Sequence, residues 1–297
     1  MADSIRLVAP SKLNLYLGVH EELDERRYHR VDSIMTCVGI ADIVTIEPAA
    51  SLAVSCKPPA DFPDHENTCW RAAELMGETF RHRPNVSIVV EKYVPAKSGM
   101  GGASADAAAT LIGLCELWGI DRADPRVEEV ARQVGADVPF FLFGPPALLV
   151  GAGDVMSEEF PSLEGVPVVV TRGSGPGISA REAYEEFDRE PVAPSLDGGR
   201  ELCRALREHD ISGIVAGLSN NLEPVAERID PQIARIRSWI ASRPGVEAAM
   251  MTGSGSCVYG ICESPSAALD VERAAIQEHG LWAKASVLVG EGPHVVG

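Results

Sequence analysis

Cysteine pairs, positive charge and long apolar runs are what this chain lacks. Its seven cysteines stand at 37, 56, 69, 115, 203, 257 and 262. Their number is odd and no Cys-x-x-Cys pair occurs, which argues against both a disulfide framework and a cysteine zinc site. Small buried thiols in a reducing cytoplasm are the expectation. Basic residues number 26 against 43 acidic ones, a formal charge of −17. A field of that sign repels nucleic acid and anionic membrane surfaces, so an anionic substrate must be met by a local positive site. The most apolar run, Phe140 to Gly151, is broken by Gly144, Pro145 and Pro146 and is too short to span a bilayer. The segment from Met1 to Arg6 has no basic stretch leading into a long apolar one, so no secretory leader is expected.

What is present is enough for real cores. The chain has 297 residues, 45% of them hydrophobic. That length exceeds what one core usually serves, and two domains are expected, 1–160 and 161–297. Strands are expected at Ile5–Val8 and Leu13–Val19, with a strand pair over Ile34–Ile46 turning near Gly39 to Asp42. A helix follows over Asn67–Phe80, then a β-branched strand, Val86–Glu91. Ala105–Trp118 carries a helical period with Ser104 as its N-cap and Gly119 as its stop, and Pro125–Val134 opens with proline in its first turn. Leu148–Val150 and Val166–Thr171 are short strands, with a connector over Glu158–Gly165. The second half alternates helices (Ala180–Phe187, Gly199–His209, Ile229–Arg243, Ser266–His279) with strands (Ala248–Thr252, Val258–Cys262, Leu281–Leu288). That order points to an α+β domain with a small antiparallel sheet.

One segment carries chemistry by itself: Pro95-Ala96-Lys97-Ser98-Gly99-Met100-Gly101-Gly102-Ala103-Ser104-Ala105-Asp106. Glycines let backbone N–H groups approach an anion, and the loop opens into a helix whose first turn has free donors and a positive dipole end. That combination binds phosphate. The segment is neither a Walker A loop nor a dinucleotide fingerprint. Taken alone, it has a plain rival reading as a flexible turn before an alanine-rich helix that packs closely on a sheet.

Two further segments flank it in order: Ala9-Pro10-Ser11-Lys12-Leu13-Asn14-Leu15-Tyr16-Leu17, and Thr252-Gly253-Ser254-Gly255-Ser256. The ordered set resembles the three signature motifs of the GHMP kinases. Tyr28-His29, Gly135-Ala136-Asp137-Val138-Pro139-Phe140-Phe141 and Asn220-Asn221-Leu222-Glu223-Pro224 are similar to the branch of that family that phosphorylates a cytidine-diphosphate-linked alcohol in non-mevalonate isoprenoid precursor synthesis. The resemblance implies a two-domain fold, an N-terminal ribosomal-protein-S5-domain-2-like part and a C-terminal ferredoxin-like part. It implies ATP, with Mg2+, as cofactor. Asp137 would be the catalytic carboxylate that also meets the substrate hydroxyl, and Lys12 its partner. Lys92 and Asn67 would lie near the adenine, with residues 95 to 105 around the phosphates. Asn14, Tyr28, His29, Tyr184, Gly253 and Ser254 would line the substrate, the aromatic rings stacking on the pyrimidine. Tyr184 also sits on an amphipathic helix, where core packing is its other reading.

This chain departs from the family at two places. Glu25-Arg26-Arg27 precedes Tyr28-His29 where Pro-Asp-Gly is usual, and Lys97, Ser98 and Ala103 stand where the phosphate loop commonly has glycine. A GHMP kinase for a homoserine- or sugar-like alcohol, or a non-catalytic nucleotide-binding module, are the alternatives. Neither metal ligands nor oligomeric state can be read from the residues.

Overall fold

The computed structural model describes residues 4–59, 62–195 and 198–296. Met1 to Asp3, part of the segment read above for a leader, fall outside them. The N-terminal half runs β1 (Ile5–Leu23), β2 (His29–Pro48), β3 (Ala53–Lys57), α1 (Thr68–Phe80), β4 (Val86–Glu91), α2 (Gly102–Trp118), α3 (Pro125–Val134), α4 (Val138–Phe143), β5 (Ala147–Val150) and β6 (Val155–Glu159). The remainder runs β7 (Pro167–Arg172), α5 (Ala180–Arg189), α6 (Gly198–Glu208), α7 (Ile211–Ala216), β8 (Ser219–Asn220), α8 (Glu223–Ile229), α9 (Gln232–Ala241), β9 (Val246–Met251), β10 (Val258–Cys262), α10 (Pro265–His279), β11 (Trp282–Val289) and β12 (His294–Val296). Among the described residues no helix is long and apolar enough to cross a membrane.

Two expectations are corrected at the start of the chain. The two early strands are one, β1, and the expected strand pair over 34–46 is a single long strand, β2, antiparallel to it. Gly39 and Ile40 do not turn. The register jumps from Pro10↔Ala41 to Ser11↔Val38, so these two residues form a bulge in β2. Pro10 has no N–H to give the ladder, and a bulge absorbs the lost bond. Gly39 also faces the incoming β11, where a side chain would meet Ser286 Oγ at 3.0 Å. A second register shift lies between Asn14 and Tyr16. The two shifts bracket Lys12 and re-aim it.

The far edge of β2 is shared in turn by β5 (at 33–35), β11 (at 37–38) and β4 (at 43–48). Helix α2 lies across this sheet, buried from Ala105 to Cys115. Its small residues allow close approach: a side chain at Gly113 would come within 2.6 Å of Ile46. In the second half the order β11-β7-β10-β9 with helices between gives the β-α-β-β-α-β pattern of a ferredoxin-like unit. Val169, Val258 and Ala283 face α9 and α10, while Val168, Val170 and Tyr259 face α6 and α7. Among the described residues three ladders cross the division expected at residue 160: β11 pairs with β2 as well as β7, and β8 and β12 pair with β1.

The expected helix 229–243 is α9, three residues shorter at its start, and the helix before it, α8, was not expected. Asp230 leaves the helical region at φ −132°, and Pro231 precedes Gln232, the first residue of α9. Proline disfavours helical geometry in the residue before it, which stops α8. The apolar run Phe140–Gly151, read above as too short for a membrane, divides into the end of α4 and strand β5.

Candidate active site

The bulged stretch of β1 brings Lys12 under the glycine-rich loop. Its N–H donates to the Met100 carbonyl at 2.9 Å, and a side chain at Gly101 would collide with the Lys12 stem and Phe141. The Lys12 ammonium is buried; it donates to Asn14 Oδ1 and lies 3.9 Å from Asp137 Oδ2. Burial pulls the Lys12 ammonium below the usual lysine range, and the Asp137 charge opposes this. Asn14 is held by Ser33, whose Oγ accepts from Nδ2 at 2.8 Å, and by Thr252, whose Oγ1 accepts from the Asn14 N–H at 3.1 Å.

Asp137 stands at the start of α4 yet makes no side-chain cap, and its side chain is 36% exposed. A carboxylate at a helix start usually caps it. Here it is left open beside the lysine.

The loop itself is closed against the second half. The Cys257 N–H donates to the Ser98 carbonyl at 3.0 Å. Gly99 has φ 76°, and a side chain there would overlap the Thr252 carbonyl oxygen at 2.0 Å. Gly253, at φ 57°, passes within reach of Gly99 and of Lys12 Nζ. Asn220, from the segment 220–224, orients that turn by donating to the carbonyls of Met251 (3.0 Å) and Gly253 (2.9 Å). The three ordered motifs therefore meet at one point. Ser104 is not the N-cap expected of it. Gly101, at φ 68°, holds that position without a side-chain cap, so Gly102 and Ala103 begin the helix with N–H groups that have no intrahelical acceptor. The uncapped mouth of α2 is the fit for an anion, since a side chain at 101 would fill the cradle.

Residues 67–145 match the family model for the GHMP kinases N terminal domain, and residues 202–281 that for the GHMP kinases C terminal. A 4-diphosphocytidyl-2-C-methyl-D-erythritol kinase of Nostoc sp. is 31% identical, over 99% of this chain and 99% of that protein. The chain is a GHMP kinase. A namesake of that enzyme from Rhodococcus jostii is 31% identical over 96% of this chain and 91% of its own. A crystal structure of 4-(cytidine 5'-diphospho)-2C-methyl-D-erythritol kinase superposes with TM-score 0.78 at 30% identity, covering 96% of this chain and 99% of that one. Homoserine kinase from Cytophaga hutchinsonii reaches the same TM-score at 17% identity over 100% and 98% of the two chains, a likeness of fold alone.

The remaining expected residues of this GHMP kinase divide. Asn67 and Lys92 are engaged within the protein. Asn67 caps α1, its Oδ1 accepting from the Cys69 N–H at 2.9 Å. Lys92 sits between Asp42 and Asp106, 2.6 Å from Asp106 Oδ2. Neither aspartate stood out in the sequence. Asp42 is fully buried and also accepts the Tyr93 and Val94 N–H groups, at 2.5 and 2.8 Å. Asp106, in the first turns of α2, is pushed up to about 7, by burial first, with Lys92 opposing; its Oδ1 is buried without a partner. Pro95, Ala96 and Lys97 precede the turn that the loop makes at Gly99, and Lys97 itself has φ 51°.

On the substrate side, His29 stacks on Tyr184 with centroids 5.4 Å apart and meets Phe187 edge-on. Its Nδ1 faces the His20 carbonyl oxygen at 2.7 Å and its Nε2 lies 3.0 Å from Asp188 Oδ1. Burial raises the Tyr184 phenol, and the charge of Asp137 adds to it. Tyr28 is not brought into the stack. It is 59% exposed on the turn before β2, with the Arg26 guanidinium 5.3 Å from its ring centre.

Proposed function

We propose that this GHMP kinase transfers the terminal phosphoryl group of ATP to a hydroxyl of 4-diphosphocytidyl-2-C-methyl-D-erythritol, in isoprenoid precursor synthesis. The observation that carries the reading is the open Asp137 carboxylate 3.9 Å from buried Lys12, at the uncapped mouth of α2. Asp137 accepts the proton of the attacking hydroxyl. The Lys12 ammonium beside it offsets charge on the nucleophile. The N–H groups at the start of α2 receive the phosphates, and phosphoryl transfer otherwise depends on positioning. Among the described residues no group of three His, Cys, Asp or Glu side chains could hold a metal. Magnesium needs only one or two carboxylates beside substrate phosphates, so it would arrive with ATP.

Support for the cytidyl substrate comes from the two relatives of 31% identity, which act on it by name, and from the stacked rings of His29 and Tyr184. A homoserine- or sugar-like substrate offers no base for such rings. The test is ADP release across a panel of alcohols: the cytidyl alcohol, homoserine, mevalonate and galactose. Turnover of the cytidyl alcohol above the others by orders of magnitude is expected; a preference for any other member overturns the substrate, and no turnover at all overturns the kinase reading.

A further inference from the structure

The segment Asn220-Asn221-Leu222-Glu223-Pro224 joins β8 to α8, and its two asparagines serve different partners. Both are buried, at 7% and 5% exposure. A buried amide costs stability unless its polar atoms are matched. Here each amide uses its oxygen and both of its donors. Asn220 Nδ2 donates to the Met251 and Gly253 carbonyls, and its Oδ1 accepts the Leu222 N–H at 3.0 Å. Asn221 Nδ2 donates to the carbonyls of Val19 (2.8 Å) and Val192 (2.6 Å), and its Oδ1 accepts the Val19 N–H at 2.8 Å.

Asn221 extends a ladder with its side chain. β8 pairs with β1 at Tyr16↔Ser219 and Leu17↔Asn220, and the Asn221 N–H donates to the Leu17 carbonyl at 3.1 Å. Further along β1 the chain is already turning into α8, and the Asn221 amide takes both backbone groups of Val19 instead. What it holds are the two supports of one ring. His29 Nδ1 faces the carbonyl oxygen of His20, the residue after Val19, at 2.7 Å. His29 Nε2 faces Asp188 Oδ1 at 3.0 Å, and Asp188 lies in the last turn of α5, four residues before Val192. Helix α8 grips α5 a second time: Arg228 Nη2 donates to the Glu190 carbonyl at 2.8 Å and its Nε to Glu186 Oε1 at 3.2 Å. Leu222 belongs to the same apolar cluster as Phe187, the ring that meets His29 edge-on.

Asn220 serves the other side. The Gly253 that it fixes is where a side chain would come within 3.1 Å of Lys12 Nζ, and Thr252 beside it accepts the Asn14 N–H.

We infer that Asn220 and Asn221 are positioning residues that hold the base pocket and the phosphoryl-transfer site at a fixed spacing, Asn221 through Val19 and Val192 and Asn220 through Gly253. The inference rests on the functional reading above and deepens it. A fixed spacing lets the recognised end of a substrate place its reacting end: a cytidine seated at His29 sets where the hydroxyl meets Asp137. Adjacent residues at one strand-to-helix junction cannot move independently, so the two sites keep their register.

The test uses N221D and N220D, which keep the shape and one oxygen of each amide and lose its donors. N221D should raise the KM for the cytidyl alcohol roughly tenfold and leave kcat and the KM for ATP nearly unchanged. N220D should lower kcat roughly 10^2-fold and leave both KM values nearly unchanged. A protonated carboxyl can donate one hydrogen bond, so the kcat of N220D relative to wild type should rise as pH falls. A purely structural pair would lower the Tm and the active fraction alone. That result, or KM and kcat moving together in both variants, overturns the inference and leaves the substrate assignment standing. If the variants do not fold, amide hydrogen exchange of the wild type decides. CDP should slow exchange at 219–222 and 251–254 as well as around His29; protection confined to the neighbourhood of His29 overturns the inference. Failure of the wild type to turn over the cytidyl alcohol overturns the substrate assignment and this inference together.

Discussion

The catalytic centre and the substrate turn are built on opposite plans. Around Lys12, segments far apart in the chain are tied by backbone bonds: Lys12 to Met100, Cys257 to Ser98, and Asn14 to the Thr252 side chain. Lys12 and Asn14 are almost wholly buried, at 4% and 2% exposure. The turn carrying Tyr28 is held by its own Asp24 and by one arginine, and its aromatic ring faces solvent. The first arrangement leaves one geometry available. The second can change residues without disturbing the fold, and it is one of the two places where this chain strays from its family. The phosphate loop is the other, but there Ser98 is buried and tied, and only Lys97 is a free side chain.

The contrast breaks most sharply at Asp137. Asp137→Asn keeps the shape but removes the proton acceptor, and kcat should fall by about 10^2- to 10^4-fold while ATP still binds, as read by nucleotide titration. Retained turnover would move the base elsewhere. Next comes the buried charge group. Asp42→Ala leaves two buried backbone N–H groups without their acceptor and Lys92 with Asp106 alone, and should cost about 3–5 kcal/mol in denaturant unfolding. Gly99→Ala places a methyl against the Thr252 carbonyl; about 1–3 kcal/mol of stability and much of kcat should go together, because that contact sets the loop.

A smaller effect is a matter of pH. The Asp106 carboxyl, pushed up to about 7, keeps its proton in the folded chain, while in the unfolded chain it ionises near 3.8. Between those values the folded state binds more protons, so this group's contribution to stability declines as pH rises and is level above them. The Tm of Asp106→Asn relative to wild type should therefore climb from pH 5 to 7 and then flatten. A difference constant across that range would mean that Lys92 holds Asp106 ionised throughout. In the turn, Arg26→Ala removes a half-exposed guanidinium from the buried Asp154 carboxylate and should cost about 1–3 kcal/mol in denaturant unfolding.

The sequence exposed the site where a function needs particular residue types in order along the chain. Lys12, the glycine loop, Asp137 and the 252–254 turn were all legible that way, and the structure brings them together. Asp42 and Asp106 were not. Each looks ordinary in its own segment, and their meaning arises only when Lys92, 50 and 14 residues away, is placed between them. The resemblance set Lys92 and Asn67 near a nucleotide, and the structure adds what the sequence does not reveal, that each also has a partner within the protein. The false turn at Gly39 has the same origin. Its glycine answers the approach of Ser286 from the other end of the chain, not a reversal of its own strand. In the second half, α8 went unread, and Pro231 was the visible signal that α9 begins after it rather than at Ile229.

Strand β1 contributes Ile5, Leu7 and Ala9 to one apolar cluster, Leu13 and Leu15 to a second, and Leu17 and Val19 to a third. A single rigid rod threaded through every core makes the melting of any one of them felt by the others. Cutting the chain near residue 160 would strip β1 of β8 and β12 and β2 of β11. The pieces would not be two smaller folded units but one torn framework, so the intact chain should unfold in a single cooperative transition.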